Sequence, residues 1–389
     1  MDNQSNIGVV GAGTMGSGIA QIAATYGHEV YLFDAYKDQL NKAEQELLKI
    51  LNRQVTKDRM TQKKMDDILH RIHFVDHLKN FSDCEIVFEA IIENLQAKKD
   101  QFARLEGIVK RSCILATNTS SLSIASISSA LKRPGRFLGV HFFNPAPVMN
   151  LVEIIPGIST SDEVIDNVQT LIKDWEKITV TAKDTPGFIV NRVARPFYGE
   201  SLRIYEEGIA DIATIDWAMK ECGEFKMGPF ELMDLVGNDV NYEVTETIFK
   251  EFYYDPRFKP SFVQKRLVEA GRYGKKTGIG FYNYQDPSKN PKPTKDKKVG
   301  QNLLNRILAM LINEAADAVF MNVATIEDID LAMKNGVNYP KGLLEWADEI
   351  GLNVVLNRME FLQAKYGEDR YRPNPLLKQK VANGEQFYD

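Results

Sequence analysis

Gly11-Ala12-Gly13-Thr14-Met15-Gly16 follows the apolar run Ile7–Val10 without an intervening residue and opens a stretch with helical periodicity, Met15–Tyr26. The placement constrains the fold more than the three glycines do. A strand that turns directly into a helix brings backbone N–H groups to the helix N-terminus. Residues without a Cβ let a pyrophosphate approach them. Asp34 ends the next apolar run, Val30–Phe33, 23 residues beyond Gly11 (34 − 11). A carboxylate at that point accepts from a ribose 2′-hydroxyl and repels a 2′-phosphate, so the spacing predicts NAD rather than NADP.

The same strand-and-helix alternation continues. Ile86–Phe88 and Ile114–Ala116 are strand-length apolar runs, and Gln39–Gln54 and Leu95–Val109 have helical periodicity. Together they imply a parallel sheet covered by helices. Phe137–Phe142 and Leu151–Ile155 are two further strands. Asn144-Pro145-Ala146-Pro147 separates them as a loop, since proline cannot donate to a ladder. After Asp184-Thr185-Pro186-Gly187 the pattern becomes almost wholly helical.

That helical part repeats. A shift of 114 residues aligns 189–240 with 303–354 without a gap, and 15 of the 52 pairs are identical. Asn191/Asn305, Arg192/Arg306, Glu200/Glu314, Asp216/Asp330, Gly228/Gly342 and Asp234/Asp348 are among them. A repeat of this length is a duplicated domain. The segment 285–298, rich in Pro and Lys, reads as a solvated linker, with a basic contact surface as the alternative. The expected class is α/β: a Rossmann-type dinucleotide-binding domain over 1–185, then two tandem all-α domains. The first helical domain spans 186–285, the linker 286–298, and the second helical domain 299–389.

Composition narrows the function. Among 389 residues, 48 Lys and Arg stand against 53 Asp and Glu, a net charge of −5. A mildly acidic chain lacks the basic footprint of a general nucleic-acid binder. No apolar run approaches the ~18–20 residues of a membrane span. Cys84, Cys113 and Cys222 have neither disulfide-frame nor zinc spacing. The polar N-terminal stretch, residues 1–6, has neither a secretory nor a transit-peptide pattern. A reduced, cytoplasmic protein is the expectation.

Five histidines exist. His28 reads as structural. His70, His73 and His77 are not read as a metal site, because a strand over Ile72–Val75 turns them to different faces. No metal is expected. His141 lies at the end of a strand, where ligands bind in such sheets, and Glu153 lies on the next strand within its reach. The pair is either a proton-transfer site or a satisfied core histidine. Thr117-Asn118-Thr119-Ser120-Ser121 brings hydroxyls to the same sheet edge. There it acts either in the site or as a helix N-cap, with Ser121 the better cap and Ser120 left free.

These residues carry a resemblance. GAGTMG, EAIIENLQAKK (89–99), TNTSSLSI (117–124), GVHFFNPAPVMNLVEII (139–155), DTPGFIVNR (184–192), MGPFELMDLVG (227–237) and KKTGIGFYNY (275–284) occur in order. Together they resemble the L-3-hydroxyacyl-CoA dehydrogenases, including bacterial 3-hydroxybutyryl-CoA dehydrogenases. The resemblance implies NAD-dependent interconversion of (3S)-3-hydroxyacyl-CoA and 3-oxoacyl-CoA, in fatty-acid or butanoate metabolism. It implies His141 as acid/base, Glu153 as its partner, and Ser120 and Asn191 at the substrate oxygen. For the dinucleotide it implies Gly11, Ala12, Gly13, Thr14, Met15, Gly16, Asp34, Glu93, Lys98, Asn144 and Lys276.

In animal members a Ser and a Lys on the helix after the second strand contact coenzyme A. Here Ile50 stands at the Ser position and Lys57 at the Lys position, with Arg53 and Arg59 beside it. The second helical copy retains Asn305, read as structural, and lacks the MGPF and KTGxGFY segments. The resemblance further implies a homodimer through the helical domain, or a monomer in which the second copy takes the partner's place. The alternative reading is a related dehydrogenase of a free hydroxy or sugar acid, similar to gulonate dehydrogenase; a non-catalytic NAD-binding relative is a more distant one.

Overall fold

The computed structural model describes residues 5–388, so the reading of the first four residues lies outside it. The chain forms two compact units, Met1–Thr185 and Pro186–Asp389.

The first unit is an eight-stranded sheet with helices between the strands. In chain order its elements are β1 (Asn6–Val10), α1 (Thr14–Thr25), β2 (Glu29–Phe33), α2 (Lys37–Thr56), α3 (Gln62–His70) and β3 (Ile72–Val75). There follow β4 (Ile86–Glu89), α4 (Leu95–Glu106), β5 (Ile114–Thr117), α5 (Ile124–Ser128), β6 (Phe137–Phe142), β7 (Leu151–Pro156), α6 (Asp162–Asp174) and β8 (Ile178–Thr181). The strand order is β3-β2-β1-β4-β5-β6-β7-β8. The order reverses between β1 and β4, so the turn after β1 opens at the switch point where ligands bind. Nearly every residue of β4, β5 and β6 is buried, as expected for strands covered on both faces.

The sheet is mixed rather than all parallel: β6 and β7 run antiparallel, and β7 and β8 parallel to each other. The loop 143–150 is too short for the crossover that a parallel pair needs, so the chain reverses. Strand β8 and helix α6 are additions to the sequence reading.

The second unit holds α7 (Val190–Val193), α8 (Arg195–Glu206), α9 (Ile212–Gly223), α10 (Pro229–Val236), α11 (Asn238–Glu251) and α12 (Phe262–Glu269). Its second copy holds α13 (Lys297–Phe320), α14 (Ile326–Gly336), α15 (Leu343–Ile350), α16 (Leu352–Tyr366) and α17 (Pro375–Asn383). One helix, α13, answers to the pair α7 and α8. Pro196 has no N–H for the helical ladder, so the first copy breaks there. Met310 occupies the same position in the second copy and α13 runs on for 24 residues. That helix starts at Lys297, where Asp296 accepts from Lys298 N at 2.8 Å and Val299 N at 3.1 Å. It therefore takes the last two residues of 286–298. Part of that segment is tied down: Thr294 N donates to Thr214 Oγ1 at 2.9 Å.

Helix α13 packs on α8 and α9. The polar contacts across this packing come in reciprocal pairs. Arg192 Nε donates to Glu314 Oε1 at 2.8 Å, and Arg306 Nε donates to Glu200 Oε1 at 2.6 Å. Arg257 adds to the first cluster through Glu314 at 3.0 Å, and Tyr371 to the second through Glu200 at 2.8 Å. Each pair obeys the 114-residue shift: 192/306, 200/314 and 257/371. Contact of i with j repeated as j with i is the signature of a two-fold interface, here within one chain.

Each copy also carries an inner frame. Asp216 accepts from Phe230 N at 2.9 Å and Glu231 N at 3.0 Å, capping α10, and from the Tyr282 hydroxyl at 2.7 Å. Asp330 does the same for Leu344 N and Glu345 N, both at 2.9 Å, and for the Tyr388 hydroxyl at 3.0 Å. Asp234 takes Phe281 N and Tyr282 N, and Asp348 takes Phe387 N and Tyr388 N. Phe387-Tyr388 thus fills the role of Phe281-Tyr282, although the full KTGxGFY sequence is absent from the second copy. The tyrosines are 106 residues apart rather than 114, so the second copy is eight residues shorter here (114 − 106).

Candidate active site

The parallel register puts the ends of β1, β2, β4, β5 and β6 on one edge of the sheet. The site is built there from the loops that follow them.

Gly11 has φ +100°, and a Cβ on it would lie 2.5 Å from the Ala90 carbonyl oxygen. A Cβ on Gly16 would lie 1.8 Å from the Gly11 oxygen. Packing demands both glycines. At Gly13 a Cβ would meet nothing within 4 Å, so the protein's own packing does not require a glycine there. Gly13 is also the N-cap of α1 and has no side chain to cap it. The first-turn N–H groups of Thr14, Met15 and Gly16 are therefore available to an anion at the positive end of the helix. Asp34 Oδ2 accepts from Ala12 N at 2.8 Å, tying the turn to the end of β2, and Gln39 Nε2 donates to the Ala12 carbonyl at 2.9 Å. An open glycine, an uncapped helix start and a carboxylate at the second strand end together fit a dinucleotide.

His141 and Glu153 are direct partners in the β6–β7 register. His141 Nδ1 lies 2.7 Å from Glu153 Oε2, with the imidazole 6% exposed and the carboxylate fully buried. Cross-strand pairing on one face makes this contact an outcome of the register itself. Phe142 N donates to Asn118 Oδ1 at 2.8 Å, which holds the end of β6 against the loop after β5.

That loop is organised by Glu93. Its Oε1 accepts from Thr119 Oγ1 at 2.5 Å, from Ser120 N at 2.9 Å and from Ser120 Oγ at 3.3 Å. Burial pushes the Glu93 carboxyl up, but Lys98, Thr119 and Ser120 outweigh it and leave the group below the ordinary value. Lys98 is 1% exposed and lies 2.6 Å from Glu89 Oε1 and 3.3 Å from Glu93 Oε2. The far oxygen of Glu89 accepts from Thr117 Oγ1 at 2.6 Å. Glu93 and Lys98 are thus tied to the scaffold of the loop that carries Ser120. Two local readings change. Ser120 is not free, and the cap of α5 is Ser123, which accepts from Ser126 N at 3.2 Å. Asp184 completes that helix start by accepting from Ile124 N and Ala125 N.

A cavity of about 360 Å3 lies between the start of α1, helix α2 and the loop after β6. Ile50 lines it; Lys57, at the end of α2, does not. Lys42, missed in the sequence reading, is the cation on its wall. Asn144 is exposed in the loop after β6.

Asn191 and Lys276 belong to the other unit. Asn191 sits on the short helix α7, and its backbone carbonyl accepts from Arg195 Nε at 2.7 Å. Lys276 Nζ lies 2.6 Å from Asp239 Oδ2.

The remaining histidines are apart from the site. His28 is buried edge-on to Trp175, and burial lowers its pKa. His73 Nε2 lies 2.6 Å from Glu29 Oε2. Among the described residues no group of three His, Cys, Asp or Glu is arranged to hold a metal ion, and no helix is long and apolar enough to cross a membrane.

Residues 6–185 match the family model described as 3-hydroxyacyl-CoA dehydrogenase, NAD binding domain. Residues 187–284 and 303–386 match the model for the C-terminal domain of the same family. A 3-hydroxyadipyl-CoA dehydrogenase of Escherichia coli K12 is 37% identical over an alignment covering 98% of both chains. A probable 3-hydroxybutyryl-CoA dehydrogenase of Deinococcus radiodurans is 40% identical, covering 71% of this chain and 99% of that one. The crystal structure of a 3-hydroxybutyryl-CoA dehydrogenase from E. coli K12 superposes with a TM-score of 0.92 at 35% identity, covering 98% of this chain and 99% of that one. With NAD as its cofactor and the C-terminal domain present twice, the chain belongs to the 3-hydroxyacyl-CoA dehydrogenase family.

Proposed function

We propose that the protein oxidises short-chain (3S)-3-hydroxyacyl-CoA, such as 3-hydroxybutyryl-CoA, to 3-oxoacyl-CoA with NAD, and runs the reverse reduction. The buried His141–Glu153 contact carries this reading. With Nδ1 engaged by the carboxylate, Nε2 is the nitrogen assigned to the 3-hydroxyl proton. Glu153 fixes the tautomer and stabilises the imidazolium that forms. NAD, when bound, would supply the acceptor for the hydride leaving C3. Ser120 and Asn191 donate to the substrate oxygen as its charge changes, a preorganised electrostatic contribution. Asp34 and the α1 N-terminus hold the dinucleotide, with Glu93, Lys98, Asn144 and Lys276 as further candidates. For coenzyme A, the cavity wall favours Lys42 over Lys57 as the cationic contact.

We also propose three structural domains, 1–185, 186–285 and 299–389, with the helical pair acting as a dimer within one chain. The reciprocal pairs Arg192–Glu314 and Arg306–Glu200 support it, because each joins one copy to the other and the two are related by the 114-residue shift. A cytoplasmic location fits the three free cysteines.

The test is NADH absorbance with acetoacetyl-CoA, with the six-carbon dicarboxylic 3-oxoacyl-CoA and with free acetoacetate, each repeated with NADPH. Oxidation of NADH with a thioester alone is expected. Turnover of free acetoacetate without coenzyme A would replace this reading with the free-acid one.

A further inference from the structure

The two helical copies also differ where one has lost bulk. In the first copy Arg195 is buried with its Nη1 3.1 Å from Thr245 Oγ1 and its guanidinium carbon 4.9 Å from the Tyr198 ring centroid. The 114-residue shift places Ala309 opposite Arg195 and Ile312 opposite Tyr198. Both line a cavity of about 270 Å3 in the helical unit. What a guanidinium and a phenol fill in one copy is therefore open in the other.

The wall of this cavity is apolar, with Trp346 from α15 among its members, and its polar groups are few. Asn305 Oδ1 accepts from the exposed Gln301 Nε2 at 2.8 Å, and the Asn305 amide nitrogen keeps its two N–H donors for a ligand. Arg358, on α16 where the first copy has Val244, also lines the cavity. Among the described residues it has no carboxylate partner. A guanidinium beside apolar walls complements a hydrocarbon chain ending in an anion that takes two parallel hydrogen bonds.

We propose that this cavity is a binding site for a carboxylate with a short to medium alkyl chain, with Arg358 and Asn305 at the carboxylate and Ala309, Ile312 and Trp346 along the chain. Its volume equals roughly nine waters at about 30 Å3 each, which suits a chain of about six to eight carbons. The site is lined by none of the residues assigned to hydride transfer and does not depend on that assignment.

The full-length protein is titrated with sodium octanoate by calorimetry and by tryptophan fluorescence. One saturable site per chain is expected, with a change in emission that Trp346→Phe removes while the heat remains. Arg358→Gln should weaken binding at least tenfold, octanol should bind more weakly than octanoate, and Ala309→Leu, which refills the cavity, should abolish the site. Octanoyl-CoA, which lacks a free carboxylate, should not displace octanoate. Absence of saturable heat would overturn the proposal, as would octanoate binding unchanged in Arg358→Gln, which would place the anion elsewhere. Should Ala309→Leu fail to fold, Arg358→Gln decides alone. Displacement by octanoyl-CoA would assign the site to acyl thioesters instead and overturn the role given to the carboxylate.

Discussion

The two helical copies share a frame and differ in their working faces. Asp216 and Asp330 cap equivalent helices, and a Cβ on Gly228 or Gly342 would lie 2.3 or 2.4 Å from the Asp216 or Asp330 carboxyl carbon. Both copies therefore need glycine opposite the capping carboxylate. Around Asn191 the first copy places Arg195, Tyr198 and a helix broken at Pro196; around Asn305 the second has Ala309, Ile312 and an unbroken helix. Buried carboxylates that cap helices tolerate little change, since each loss strands several N–H groups. The face around Asn305 carries no such cap, and it differs from the face around Asn191 in volume and charge.

The largest expected effect lies outside both copies. His141→Ala should lower kcat by a factor of 10² to 10⁴, roughly 3–5 kcal/mol of barrier, with NADH affinity retained. Stopped-flow and dinucleotide titration check it, and full activity would remove His141 from the chemistry.

Next comes the interface. Burial raises the Glu314 carboxyl against the pull of Arg257 and Arg192, and raises Glu200 against Arg306. Glu314→Gln and Glu200→Gln should each cost about 2–3 kcal/mol in urea unfolding, because a buried arginine loses one charge-assisted partner and keeps Asp317 or Glu207 as the other. Equal costs sharpen the two-fold relation; an effect confined to one cluster breaks it.

A smaller, matched pair is Gly228→Ala and Gly342→Ala. Each pushes a methyl group into a capping carboxylate and should cost about 1–3 kcal/mol. A tolerated substitution in one copy would show that its frame has relaxed.

The smallest effect is a pH slope. Burial pushes the Asp216 carboxyl up to about 7, and raises Asp330 likewise. A carboxyl raised on folding contributes stability that is fully present below its unfolded value near 4 and lost as pH rises through 7. Asp216→Asn should flatten stability against pH across that window, measured by thermal unfolding in matched buffers. An unchanged slope would assign it to other groups.

Much of the fold was legible because the signals were local: β-branched runs, the glycine turn, and Asp34 at a strand end. His141 and Glu153 were legible because they lie on neighbouring apolar strands either side of a two-proline loop; the antiparallel register that makes them direct partners was not. Glu93 as the organiser of the Ser120 loop was not, since its partners lie 26 to 28 residues away and nothing local marks them. Lys42 escaped because ungapped matching looked for a cation at Lys57, four turns along the helix, and not for the face that meets the glycine turn. Phe387-Tyr388 escaped because its equivalence to Phe281-Tyr282 needs a gap. The reciprocal arginine–glutamate pairs were visible as repeated identities, but their partners follow only from how α13 crosses α8.

On the proposed function, Asn191 of the first copy serves the reaction and its counterpart Asn305 does not. Single-turnover hydride transfer in Asn191→Ala and Asn305→Ala, measured side by side with acetoacetyl-CoA and NADH, tests it most directly. A loss on the order of 10² is expected for Asn191→Ala and a wild-type rate for Asn305→Ala. Equal losses in both, or a loss confined to Asn305→Ala, would contradict it.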